Sequence, residues 1–223
     1  MVNYRAVGTR YAVDMDELAQ ALDLPEDRVA CLLAQIGFDT YRADPVPWAR
    51  RLVGQASYHC DAPFELAPGV VDCASLIKWT YHQCGIWLPR LAVQQRRFTA
   101  THPVKLRELE AGDLVFRTGR YNFWYPDEDI SQGVGQVGLA TSHRTIIHAN
   151  KWDGIRETSL ESFLGKRPHR GATRVLPAKR RILTLACNTV HSIEYSEDVL
   201  FLLQAYLREQ SNRDRKAKRR AKS

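Results

Sequence analysis

Residues Gly69–Arg90 read GVVDCASLIKWTYHQCGIWLPR, and the reading of the chain works outward from them. A turn leads into a helix with Cys73 at its mouth. Asp72 suits the N-cap, where a carboxylate accepts a bond from an orphan N–H of the first turn. Leu76, Ile77, Thr80 and Cys84 fall at helical spacing and predict one buried stripe. Gly85 supplies a left-handed terminus, and Pro89 prevents resumption. A cysteine in a first helical turn feels the positive end of the helix dipole. That setting favours the thiolate, the nucleophilic form. The plainer alternative is that Cys73 is one more small buried apolar residue.

Composition bounds what this helix can belong to. The chain has 223 residues, 44% apolar and 26% charged, enough for one full domain with small additions. The N-terminus MVNYRAVGTRYAVDMDE has no apolar core of a secretory signal. No apolar run is long enough to span a bilayer. Five unpaired-looking cysteines, Cys31, Cys60, Cys73, Cys84 and Cys187, fit a reducing, cytoplasm-like compartment. Action outside the cell would then need a non-standard export route. The formal charge is +7, and the last twelve residues hold seven Lys or Arg against one Asp. The body is therefore near neutral, which does not suggest a nucleic-acid footprint. The tail, residues 212–223, is expected to be disordered and could touch a polyanion.

Around the helix the pattern alternates. Residues 1–13 hold a short strand. Residues 14–38 give two amphipathic helices, the second starting with Pro25 at its first position and ending at Gly37. They resemble a helix-turn-helix in outline, but Glu26, Asp27, Arg28 and Gln35 suit phosphate contact poorly. A packing or protein-contact element is favoured. Residues 39–49 form a linker interrupted by Pro45 and Pro47, and a helix runs from Trp48 to about Gln55. A loop at 58–72 holds Tyr58, His59 and Cys60. LAVQQRRF is a short helix, Gly112-Asp113 a turn, and LVF a buried strand. Residues 117–135 form a long loop with Trp124 and Tyr125, which could line a cleft. QVGLATSHRTIIHAN reads as a hairpin. With its turn centred on Ser142, Gln136 and His148 would face each other about 5 Å apart. A strand at 154–156, a helix Leu160–Leu164, strands over RVLPA and RILTLAC, and a helix over 193–209 complete the reading. His59, Cys60, Cys73, His82 and Cys84 offer no CxxC or HxxxH pair, so a zinc set is disfavoured; no metal or other cofactor is expected.

In order along residues 48–164, Tyr58, DCASL at 72–76, GIWLPR at 85–90, Gln94-Gln95, GDLVF at 112–116, VGLA at 137–140 and IIHA at 146–149 resemble the NlpC-type cell-wall cysteine peptidases. The resemblance implies an α+β, papain-like fold: a central antiparallel sheet against the nucleophile-bearing helix. The pass along the chain gives a small helical N-terminal extension at 1–44, the main domain at 45–190, a helix at 191–211 and the tail. The resemblance implies Cys73 as nucleophile, His148 as the residue orienting the base, and Tyr58 on the substrate or oxyanion side; Asp72, Ser75 and Trp124 are expected to line the substrate side with it. The expected substrate is the peptidoglycan stem peptide, cut between D-glutamate and a diamino acid.

The base position departs from the family. It is Gln136, which carries no titratable proton near neutral pH. Three readings follow: a weak or atypical hydrolase with His148 as base, an inactive member that binds a wall peptide or protein, or a cysteine that forms a lasting covalent adduct.

Overall fold

The structure, a computed structural model, describes residues 3–177, 179–187 and 191–220. The chain divides into two compact units, Met1–Ala43 with Arg180–Ser223, and Asp44–Lys179.

In the first unit β1 (Arg10–Asp14) leads directly into α1 (Met15–Leu22). Asp14 turns the strand into the helix by accepting N–H bonds from Asp16 and Glu17. Next come α2 (Glu26–Ile36), closed by Gly37 at φ 97°, and β2 (Asp39–Arg42). Pro25 is the cap of α2 and not its first helical residue. Part of the expected linker is thus a strand.

The second unit starts with α3 (Pro45–Arg50). The expected linker is overturned here as well. Both prolines sit in the first helical turn, where the missing N–H would have had no acceptor, and Asp44 caps Val46. β3 (Ser57–Tyr58) pairs in parallel with β4 (Val70–Val71), and α4 (Cys73–Gln83) follows. Asp72 and Ser75 form a reciprocal capping box: each side chain accepts the other's backbone N–H. Leu76, Ile77, Thr80 and Cys84 are all buried, and Gly85 takes φ 73°. Then come α5 (Ala92–Phe98), β5 (Leu114–Arg117), β6 (Gln136–Ala140), β7 (Thr145–Asn150), β8 (Gly154–Ser159), α6 (Leu160–Leu164) and β9 (His169–Thr173).

Five strands form one antiparallel sheet, β8-β7-β6-β5-β9, with α4 packed on β6 and β7. This is the expected α+β arrangement. β9 replaces the strand expected at RVLPA. Residues 174–177 carry no strand, and Ala178 lies outside the described residues.

The hairpin register differs from expectation. Leu139 faces Ile147, and Ala140 faces Ile146. The turn is therefore centred on His143, because Thr141 and Thr145 close it through N–H···O (2.9 Å) and hydroxyl (2.6 Å) bonds. The slip of two keeps every side chain on its expected face, but it sets His148 across from Gly138 and not Gln136.

The chain then returns to the first unit as β10 (Ile182–Ala186), which pairs with β1 on one side and β2 on the other. Residues 180–187, assigned above to the main domain, thus supply the centre strand of the terminal unit. Residues 188–190 lie outside the described residues. α7 (Ser196–Arg220) packs Val199 and Leu203 into a core with Tyr11, Leu18, Leu32, Leu33 and Leu185. The expected disorder from residue 212 is not found as far as Arg220. After Leu207 the sequence carries neither Pro nor Gly, strong helix formers recur, and Glu209 pairs with Arg213 at i,i+4 (2.5 Å). The rest of that expectation falls on residues outside the described set. Among the described residues no helix is long and apolar enough to cross a membrane.

Candidate active site

Tyr58, Asp72, Cys73, Gln136 and His148 all line one cavity of about 1080 Å³ within the second unit. Cys73 is the first residue of α4. Its sulfur accepts hydrogen bonds from the N–H groups of Val137 and Ala74, which ties the head of the helix to the start of β6. Asp72 is held from the other side. Arg90 bonds both its carboxylate oxygens, at 3.2 and 2.6 Å, and the Ala62 carbonyl at 2.5 Å. Gln95, fully buried, donates to the carbonyls of Ala74 (2.9 Å) and Pro89 (3.0 Å), fastening α5 to the start of α4.

The electrostatics reverse one expectation. Burial pushes the Cys73 thiol up to about 12, and the Asp72 carboxylate adds to the rise. The two N–H donors and Arg90 pull it down, but they do not win. Desolvation of a charged sulfur outweighs the helix dipole here, so the thiol is neutral near pH 7. Tyr58 bonds Cys60, and burial and the nearby thiols raise its hydroxyl well above the usual phenol range.

His148 is buried more deeply than the half-buried Cys73. It lies beside Phe163 with ring centroids 5.2 Å apart, and its Nδ1 is buried with no hydrogen-bond partner. Burial lowers its pKa to about 4, helped by Arg117 and Arg156. The sheet explains those neighbours. Arg156 is its direct cross-strand partner on β8, and Arg117 stands on β5 opposite Gln136. Alternation puts all four side chains on one face. Gln136 donates from Nε2 to the Ala149 carbonyl at 2.7 Å. The amide is therefore spent on joining β6 to β7 at the end where their ladder pairs give out.

Two expected substrate contacts are relocated. Ser75 is fully buried and committed to the capping box. Trp124 is 44% exposed and is not part of the cavity wall; Tyr121, Phe123 and Trp152 are. Sequence reasoning missed Arg117, Arg156 and Phe163. Arg117 was within reach of it: the residue after LVF must share a face with Val115, on the strand beside Gln136. Among the described residues no group of three or more His, Cys, Asp or Glu is gathered to hold a metal.

The model of the NlpC/P60 family matches residues 61–173, half of the chain and wholly inside the second unit. The chain belongs to the NlpC/P60 family. It is 32% identical over 91 residues to the bifunctional muramidase/DL-endopeptidase CwlT of Bacillus subtilis, covering 41% of this chain and 24% of the relative. It is 32% identical over 95 residues to a protein of Corynebacterium glutamicum named a probable endopeptidase, covering 42% and 38%. The match thus takes in well under half the length of these curated relatives. Among solved structures, it is similar to an NLP/P60 family lipoprotein-like protein of Staphylococcus aureus (TM-score 0.45, 25% identity, 60% of this chain and 40% of that one). It is also similar to the peptidoglycan hydrolase RipB of Mycobacterium tuberculosis (TM-score 0.46, 15% identity, 71% and 72%).

Proposed function

We propose that the second unit is a cysteine-type peptide hydrolase of the peptidoglycan-cleaving kind, with Cys73 as nucleophile and His148 as the base in place of the missing family histidine. One observation carries this reading: the Cys73 sulfur lies against the Val137 N–H in the same cavity that holds His148. The Cys73 proton passes to His148, and the sulfur adds to the amide carbon of the stem peptide. Collapse expels the amine, which takes the proton from the imidazolium, and water then releases the acid from the thioester. Gln136 keeps β6 and β7 joined and carries no proton. A neutral thiol and a weakly basic imidazole make this transfer uphill, so turnover is slow.

The shifts of Cys73 and His148 away from neutrality favour a second reading, a cleft that binds the peptide without cutting it. Incubation with an L-Ala-γ-D-Glu-diamino acid peptide separates the two by mass spectrometry. The hydrolase releases fragments that Cys73→Ala and His148→Gln do not. Equal traces from all three proteins leave only the binding role.

A further inference from the structure

α7 changes character after Leu207. Up to that residue its apolar side chains pack against the core of the first unit, and the Tyr206 hydroxyl donates to Gln35 at 3.5 Å. Beyond it, residues 208–220 continue the helix for about 20 Å. Arg208 and every residue from 211 to 220 are exposed.

This segment carries seven cations against two carboxylates, Glu209 and Asp214, an excess of five positive charges. At about 100° per residue, Arg208, Arg215 and Arg219 form one stripe. Arg213, Lys216 and Arg220 form a second, about 110° round the axis. Glu209 answers Arg213 at 2.5 Å. Arg215 with Arg219, and Lys216 with Arg220, stand at i,i+4, where like charges oppose the helix. An arriving polyanion relieves that repulsion.

The side chains select among polyanions. Ala217 is the only apolar residue of the segment, so it has no face to bury among acyl chains. It has no aromatic ring, on which the bases of a single strand would stack. Two stripes facing different ways suit charge on two walls. The major groove of duplex DNA, about 12 Å wide, admits a helix of about 10–12 Å with phosphates on either side. The deep, narrow major groove of duplex RNA does not. Five of the seven cations are Arg, whose fork matches phosphate oxygens. α1 and α2 stay out of the contact, because the exposed Asp16, Asp23 and Asp27 repel phosphate.

We infer that residues 208–220 dock on duplex DNA through its phosphates, without regard to base sequence. The inference lies in the first unit and is independent of the peptide chemistry of the second.

The test is fluorescence anisotropy of the full chain with labelled duplexes of about 25 base pairs, in two unrelated sequences. Both bind alike. Each phosphate neutralised contributes about −0.9 to the slope of log K against log salt. Five give a slope of about −4.5, a loss of about 10²–10³-fold between 50 and 200 mM salt. Arg208→Gln/Arg215→Gln/Arg219→Gln and Arg213→Gln/Lys216→Gln/Arg220→Gln each make the slope shallower by about 2.7. Both variants change exposed positions to a good helix former, so helicity by circular dichroism stays that of the parent. Unlabelled single-stranded DNA, a glycerol-phosphate polymer, and vesicles of three parts phosphatidylcholine to one of phosphatidylserine compete at equal phosphate concentration. Each displaces the duplex less well than unlabelled duplex does. Absence of duplex binding at 50 mM salt, a parental slope in either variant, or equal competition by any of the three overturns the inference.

Discussion

The side-chain amide of Gln136 donates to the backbone carbonyl of Ala149 at 2.7 Å, bridging two strands beyond the last of their backbone pairs, Leu139 with Ile147. Gln136 thus acts as a fastener between the two strands. It holds β7, and with it His148, at a fixed distance from β6, whose Val137 N–H touches the Cys73 sulfur.

Replacing Gln136 with His returns a titratable ring to this point. General acid–base catalysis contributes about 10²–10⁴-fold, so Gln136→His raises hydrolysis of stem peptides by at least about tenfold after losses from the broken Ala149 contact. Progress curves read by chromatography decide it. An unchanged rate means the reactive centre lies elsewhere.

Thiol reactivity follows the raised Cys73 pKa of about 12. Cys31 and Cys60 are exposed and react with iodoacetamide first at pH 8. Cys73 reacts slowly there and accelerates as pH rises past 10. Peptide mapping of labelled protein across pH resolves the sites, and a Cys73 midpoint below pH 8 contradicts the burial argument.

His148 predicts a pH-dependent stability with a definite sign. Its folded value, about 4, lies below the ordinary 6.5, so the unfolded chain binds the extra proton first. Its contribution is full above pH 6.5 and declines as pH falls toward 4, by about 3 kcal/mol in all. Urea unfolding at pH 7.5 and 4.5 shows the decline. His148→Gln, which cannot titrate, shows less of it.

Asp72→Ala removes the N-cap of α4 and leaves Arg90 only the longer pair to the exposed Asp61, 3.8 Å away. Loss of a cap costs about 1 kcal/mol, and losing the short bidentate partner of a partly buried charge costs more. The expected destabilisation is about 2–4 kcal/mol by denaturant unfolding. Asp72→Asn, which still caps, loses less.

Gly138→Ala tests the packing behind His148. A Cβ there stands 2.4 Å from Ile146 Cγ2 and 3.2 Å from the Phe163 ring. Overpacking of this kind costs about 1–3 kcal/mol. Because Phe163 rests on His148, hydrolysis falls along with the melting temperature.

Legibility in the sequence tracked locality. Asp72, Gly85 and the Leu76-Ile77-Thr80-Cys84 stripe are decided within a few residues by caps and period, and α4 follows them to the residue. Pro45 and Pro47 misled because proline breaks a helix interior and suits a first turn, and only the position of Asp44 tells the two apart. The hairpin register turned on whether the loop centres on Ser142 or His143, a choice made by the bonds of Thr141 to Thr145. The thiol pKa lay beyond reach. The dipole is local and visible, whereas desolvation is the sum of what distant segments pack around the sulfur. β10 was visible as a strand but not as a partner of β1, since pairing across some 170 residues leaves no local mark.

That pairing has one more consequence. Ala43, the last residue before the second unit, donates its N–H to the carbonyl of Ile182, the first residue of β10, at 3.1 Å. Asp44–Lys179 is therefore an insertion into a single connection of the other unit. Rejoining those two segments with a short loop would excise it without cutting a strand of the host sheet.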